Sequence, residues 1–329
     1  MIERANVRTV AQFPPHSFLE NIVVRQDGSI LTTLYLQKCI YYLPKPGQEQ
    51  VKPVLLHQFD HWTMGIVEVR PDIFYVSTTA IQNPTWPSQL WKLDMSNFTN
   101  PEKDPFPQPV SVLTLPPEAN TLNGSCLLSR NVILLADSRA DLIWRVDMSE
   151  DLSSHSAHVW LKHPWLAHDH SQNPSPPGVN GLKYNPNDQH VYFTSTAQLI
   201  FGRIPVNTIT WDPAGDPVEV TSTRNMKGDE LIIDEVANVC YVTTHRQNTV
   251  ERFQLGRDSS HSVTPRTSIV GDPVDLYLIG PTAGAWSRDP AEAGRVAYFT
   301  TDGGHMNPYE GIYRESRVLR IEFPPVAVP

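Results

Sequence analysis

Short apolar runs broken by turn residues follow one another along the whole chain. The clearest stretch is Gly178-Val179-Asn180-Gly181-Leu182-Lys183-Tyr184, where a small residue and a polar one lead into a strand. A second run, from His190 to Thr196, follows at hairpin spacing. Leu122-Asn123-Gly124-Ser125 opens another copy of this unit. Residues 20–25 and 30–34 flank Asp27-Gly28, a strong two-residue hairpin signal. Looser copies open near residues 64, 229 and 281, each with a second and a third strand behind it.

The starts near residues 20, 64, 122, 180, 229 and 281 give a period of roughly fifty residues, which marks a repeat architecture. One such unit cannot bury both faces of its sheet, whereas units stacked about an axis can. The pattern therefore predicts an all-β fold, a six-bladed β-propeller comprising one domain of residues 1–329. The alternating strand Val7 to Ala11 is expected to complete the last blade beside residues 317–321 and so close the ring. A pair of β-sandwiches is the competing architecture, and six similar units favour the closed ring.

Composition narrows the function. Hydrophobic content of 40% supports a substantial core, and the 30 prolines and 17 glycines are scattered as turns. A formal charge of -9 argues against a nucleic-acid partner or an anionic membrane surface. No run of apolar residues is long enough to span a membrane as a helix. The first residues lack an apolar leader core, which places the chain in the cytoplasm unless a leader for secretion or a vesicle has been removed. Cys39, Cys126 and Cys240 are odd in number and far apart, so three buried thiols are expected rather than a disulfide.

In a propeller the innermost strand of each blade lines the central channel. The opening positions of these strands are Glu20, Met64, Asn123, Asn180, Asp229 and Thr282. Glu20, Asn123, Asn180 and Asp229 supply carboxylate and carboxamide oxygens of the kind that calcium or magnesium prefers. The bland alternative is that each closes a local turn. His168-Asp169-His170 has a ligand-like spacing but sits in a proline-rich loop, where a solvated surface is expected. There is no Gly-x-Ser-x-Gly elbow, no phosphate-binding glycine loop and no His-Glu-x-x-His.

The pattern resembles the gluconolactonase and regucalcin family of six-bladed propellers, from Leu19-Glu20-Asn21 to Gly303-Gly304. That resemblance implies a divalent cation (calcium, magnesium or zinc) held by Glu20, Asn123, Asn180 and Asp229 and assisting lactone hydrolysis. Residues 20–25, Ala136-Asp137-Ser138 with residues 143–147, and Gly280-Pro281-Thr282-Ala283 are closer to a fungal branch of secondary metabolism that includes hetero-Diels–Alderases. This likeness implies cyclisation or cycloaddition of a hydrophobic terpenoid or polyketide, with no cofactor required. Such an enzyme needs walls that hold a reactive pose and donors that meet developing charge. The candidate groups for catalysis are His61, His245, Arg246 and His305, and the candidate walls are Trp62, Met64, Phe201, Trp286 and Tyr313. Cyclisation is the first expectation from sequence, the lactonase the second, and a non-catalytic binding scaffold the third. Glu230 beside Asp229 leaves open which of the two carboxylates faces the axis.

Overall fold

The computed structural model describes residues 5–79, 86–173, 175–220, 226–256 and 266–325. The first four residues, where the leader was sought, lie outside the described residues. Among the described residues twenty-four strands form six four-stranded antiparallel sheets, one per blade. The chain opens with β1 (Asn6–Pro15), which belongs to the last blade. Blade one is β2 (Leu19–Val24), β3 (Ile30–Leu34), β4 (Cys39–Leu43) and β5 (Val54–Gln58). Blade two is β6 (Trp62–Arg70), β7 (Ile73–Thr79), β8 (Gln89–Asp94) and β9 (Val110–Thr114). Blade three is β10 (Leu122–Ser129), β11 (Val132–Asp137), β12 (Leu142–Met148) and β13 (His155–Lys162). Blade four is β14 (Val179–Asn185), β15 (His190–Ser195), β16 (Ile200–Pro205) and the two-residue β17 (Val218–Glu219). Blade five is β18 (Gly228–Asp234), β19 (Val239–Thr244), β20 (Thr249–Gln254) and β21 (Arg266–Gly271). Blade six is β22 (Pro281–Trp286), β23 (Val296–Thr301), β24 (Glu315–Glu322) and β1. The described residues include no α-helix, and no helix long and apolar enough to cross a membrane.

The ring closes as the sequence predicts. β1 pairs antiparallel with β24 from Asn6 opposite Glu322 to Pro15 opposite Glu315, so both ends of the chain are tied into one sheet. Every residue of β11, β19 and β23 is buried, because a second strand is covered by blades on both faces. Apolar clusters then fill the gaps between neighbouring blades; Val10, Leu19, Leu34 and Val318 share one across the closure. Each fully buried aliphatic side chain of this kind contributes roughly 1.5–3 kcal/mol. Cys39, Cys126 and Cys240 are buried free thiols, and burial pushes the Cys39 and Cys126 thiols up to about 12, so they act as packing.

All six inner strands bulge at the same place. Register shifts fall between Leu19 and Ile22, Thr63 and Ile66, Leu122 and Ser125, Val179 and Leu182, Gly228 and Leu231, and Pro281 and Gly284. At each bulge two residues oppose one on the second strand. That opposing residue is usually a hydroxyl. Thr33, Ser77, Thr194, Thr243 and Thr300 accept from the backbone N–H groups of Asn21, Gly65, Gly181, Glu230 and Ala283 at 2.9 to 3.1 Å.

Hydroxyls also stitch each blade to the next. Thr33 donates to Met64 O (2.6 Å), Ser77 to Leu122 O (3.1 Å), Thr194 to Asp229 O and Thr243 to Thr282 O (2.6 Å). Blade three has Ala136 opposite its bulge, and there Ser138 donates to Val179 O (2.6 Å). Thr282 donates to Leu19 O (2.8 Å) and completes the circle. A buried, satisfied bond of this type contributes about 0.5–1.5 kcal/mol, and losing one partner costs more.

Candidate functional site

The bulge sets the site. Its first residue in each blade stands at one mouth of the channel: Glu20, Met64, Asn123, Asn180, Asp229 and Thr282, all at most 5% exposed. All but Thr282 line a cavity of about 150 Å³, together with Phe18, Tyr35, Arg139, His245, Arg246 and Met306. The second bulge residue lies deeper. A Cβ at Gly124 would sit 2.4 Å from Glu230 Oε1, and one at Gly181 would sit 2.9 Å from Glu230 Oε2. The Asn-Gly pairs therefore leave the space that the Glu230 carboxylate and the next strand occupy. Both Asp229 and Glu230 enter the channel, at different depths.

A further set of residues holds the first one, and of these the sequence reading named His245 alone. In blades three, four and five the residue after the second strand stands beside the opening residue of its own blade. Asn123 Nδ2 donates to Ser138 Oγ (3.2 Å) and Asn180 Nδ2 to Thr196 Oγ1 (3.1 Å). These hydroxyls give their own protons to Val179 O (2.6 Å) and Gly228 O (2.7 Å), so toward each carboxamide they can only accept. The orientation of both amides follows. Asn123 Oδ1 and Asn180 Oδ1 are left buried and without a partner. The equivalent residues elsewhere are Tyr35, His245 and Asp302. Only the shared register after the second strand would have revealed the others, Tyr35, Ser138, Thr196 and Asp302, in the sequence.

His245 is clamped between two carboxylates. Its Nε2 lies 2.9 Å from Asp302 Oδ2 and its Nδ1 lies 3.5 Å from Asp229 Oδ2. Burial works against a charged ring, but Asp302 and then Asp229 outweigh it, and the imidazole is held above its ordinary range. Asp302 is itself fixed by the backbone N–H groups of Gly304 (2.7 Å) and Met306 (2.9 Å). Burial, with Glu230 and Asp302 nearby, pushes the Glu20 carboxyl up to about 8. Burial also holds Asp229 well above the usual carboxylate range; His245 opposes this, while Glu20, Glu230 and Asp302 add to it. The mouth thus concentrates acidic oxygens and unsatisfied carboxamide oxygens among buried side chains. A hard divalent cation would satisfy both.

The other sequence candidates scatter. Met64, His245 and Arg246 line the mouth. Trp62 packs behind the lining residue Tyr35, at 5.5 Å between ring centroids. His305 and Tyr313 form an aromatic rim with His16 and Phe18. His61 packs against Trp86 instead, with centroids 4.7 Å apart. Phe201 is not a wall of the mouth: it is 1% exposed and packs with Phe253 between blades four and five. Trp286 is also displaced, because its strand runs away from the mouth. It donates to Ile233 O (2.7 Å) and lines a cavity of about 320 Å³ at the opposite end of the channel. The apolar residues at the mouth that were not foreseen are Phe18, Tyr35, Pro177 and Met306.

No protein-family model and no curated protein matches the chain. Solved structures do. A luciferin-regenerating enzyme matches at TM-score 0.68 and 12% identity, over 97% of this chain and 95% of that one. A regucalcin from Agrobacterium tumefaciens, described as calcium-binding, matches at TM-score 0.59 and 12% identity, over 98% and 96%. A protein described as a putative gluconolactonase matches at TM-score 0.62 and 13% identity, over 97% and 92%. At such identities the likeness is one of fold: the chain has the six-bladed propeller architecture of gluconolactonase- and regucalcin-like proteins.

Proposed function

We propose that the chain is a divalent-cation-dependent hydrolase of a small lactone or ester bound at this mouth. The observation that carries the reading is the pair of buried carboxamide oxygens, Asn123 Oδ1 and Asn180 Oδ1, turned away from their own hydrogen-bonded NH₂ groups and left without partners. With Glu20 and Asp229 they make an all-oxygen donor set suited to calcium or magnesium. A bound cation of this type polarises a carbonyl and acidifies water. Propeller neighbours described as calcium-binding or as a putative gluconolactonase support the reading.

The protein's own groups supply the rest. In hydrolysis, water adds to the acyl carbon, the acyl C–O bond breaks, and the released ring oxygen takes a proton. His245 Nδ1 stands 3.5 Å from Asp229, too far for a strong bond, so its proton is free to meet an oxygen lodged in the cavity. Asp302 holds the ring in place from the other side. Arg139 and Arg246 on the lining favour an anionic product. Phe18, Tyr35 and Met306 give the cavity an apolar wall.

One observation favours the cyclisation reading. With its carboxyl pushed up to about 8, Glu20 is protonated at neutral pH when no cation is bound, and it can then donate to developing charge. The substrate would be a hydrophobic terpenoid or polyketide held against Phe18, Tyr35, Met64 and Met306. The test is turnover of aldonolactones and of quinone-methide precursors with terpene alkenes, in EDTA and after adding back calcium, magnesium or zinc. Lactone turnover that EDTA abolishes and a cation restores supports the hydrolase. Cycloaddition that persists in EDTA, without lactone turnover, overturns it.

A further inference from the structure

The motif His168-Asp169-His170 acquires a third member from the fold. Asp141 lies in the tight turn between β11 and β12, at φ 62. Its Oδ1 accepts from the backbone N–H of His168 (2.8 Å) and faces His168 Nδ1 at 2.6 Å. Its Oδ2 faces His170 Nε2 at 3.0 Å. The two imidazole centroids are 3.8 Å apart. The intervening Asp169 turns away and binds Ser171 and Gln172. Alternate side chains of this segment thus converge on one carboxylate 27 residues upstream. Among the described residues this is the group of three His, Cys, Asp or Glu side chains whose ligand atoms all lie within 4.8 Å of one another.

We propose that Asp141, His168 and His170 form a zinc site that staples this loop to blade three. Two imidazole nitrogens and one carboxylate oxygen suit a borderline cation, and three protein ligands leave a position for water. Calcium and magnesium prefer sites made wholly of oxygen, so the loop site and the channel mouth differ in the ions they select. The site is partly shielded: the His168 and Asp141 side chains are 14% and 17% exposed, while His170 is open to solvent. It also has a structural consequence. The same loop carries Ser175 and Pro177 onto the wall of the channel mouth, and Arg139 Nη2, beside Asp141 in the turn, donates to Ser175 O at 2.7 Å. Zinc at the staple would fix that wall. The inference does not rest on the hydrolase reading, because neither histidine lines the mouth.

The test is a calorimetric titration of EDTA-treated and desalted full-length protein with zinc chloride, in millimolar magnesium chloride to occupy any oxygen-lined site. The expected result is one equivalent of zinc at micromolar or tighter affinity. Cobalt(II) in its place should give the visible absorption of a nitrogen-ligated ion. His170→Ala removes an exposed side chain and leaves the fold intact, so it is the decisive variant. It should weaken zinc binding roughly tenfold or more. Asp141→Asn should do the same, and Asp169→Asn should bind as the native protein does. Amide exchange in the loop should slow when zinc is added to the native protein but not to His170→Ala. Failure of the native protein to take up zinc in magnesium, or equal binding by His170→Ala, overturns the proposal and leaves Asp141 as a hydrogen-bonded turn residue only.

Discussion

Glu20→Gln offers the most direct probe of the mouth. The Glu20 side chain is 5% exposed, and its carboxyl is pushed from 4.5 up to about 8 by burial and by the Glu230 and Asp302 charges. Below about pH 4.5 both the folded and the unfolded chain hold the proton, and Glu20 contributes no pH dependence. Between that value and about 8 only the folded state holds it, so stability falls as pH rises. Above about 8 the folded protein must carry the buried charge, and the whole difference has been lost. A shift of this size corresponds to about 5 kcal/mol at 1.36 kcal/mol per unit. That is comparable to the entire stability of many domains. Glutamine keeps the shape and cannot ionise. Urea unfolding followed by tryptophan fluorescence, in EDTA from about pH 5 to about pH 9, should show the native protein and Glu20→Gln starting together. They should then diverge by several kcal/mol in favour of the variant. Calcium should restore the native protein at high pH and do less for the variant. Parallel curves across that range would refute the argument, since they would mean that Glu20 is solvated or neutralised within the protein.

Asn180→Ala should leave stability within about 1 kcal/mol, because Oδ1 has no protein partner and Thr196 keeps its bond to Gly228 O. Calcium affinity measured by calorimetry should nevertheless fall by roughly tenfold or more, and unchanged affinity would remove Asn180 from the donor set. Thr243→Val keeps the side-chain shape but deprives Glu230 N–H of its acceptor and Thr282 O of its donor. Its expected cost in urea unfolding is about 1–3 kcal/mol, and a cost near zero would contradict the account of the bulge. Gly181→Ala places a Cβ 2.7 Å from Asp229 O and 2.8 Å from Glu230 Cα, so it should destabilise by about 1–3 kcal/mol and lower cation affinity by shifting Asp229.

The fold was legible because strands repeat with a local signal. Apolar runs, turn residues and their spacing marked each blade, and a partner for the unpaired strand at residues 7–11 had to come from the far end of the chain. The opening position of each inner strand was legible too, since it precedes a recognisable run. The side chains that complete the site were harder to see. Phe201 and Trp286 look like binding residues in composition, yet one is buried between blades and the other faces the opposite mouth. Nothing in their neighbourhood marks which end of a strand they occupy. Asp141 is far in sequence from the histidines it meets, so only the folded ring brings them together.

The ambiguity at Asp229 and Glu230 has a more specific cause. A regular strand sends successive side chains to opposite faces, so one of two neighbouring carboxylates should turn into the blade. A bulge suspends that rule at the point where every inner strand begins. The device is encoded on the partner strand, by hydroxyls at 33, 77, 194, 243 and 300 that accept the displaced N–H group. Four of these hydroxyls also donate to the next inner strand, so the bulge that aims the side chains is locked by the contact that joins the blades. The motif Val179-Asn180-Gly181 thus joins two functions. Asn180 offers an unpartnered oxygen to the mouth, and Gly181 clears the space in which the Glu230 carboxylate lies one level below.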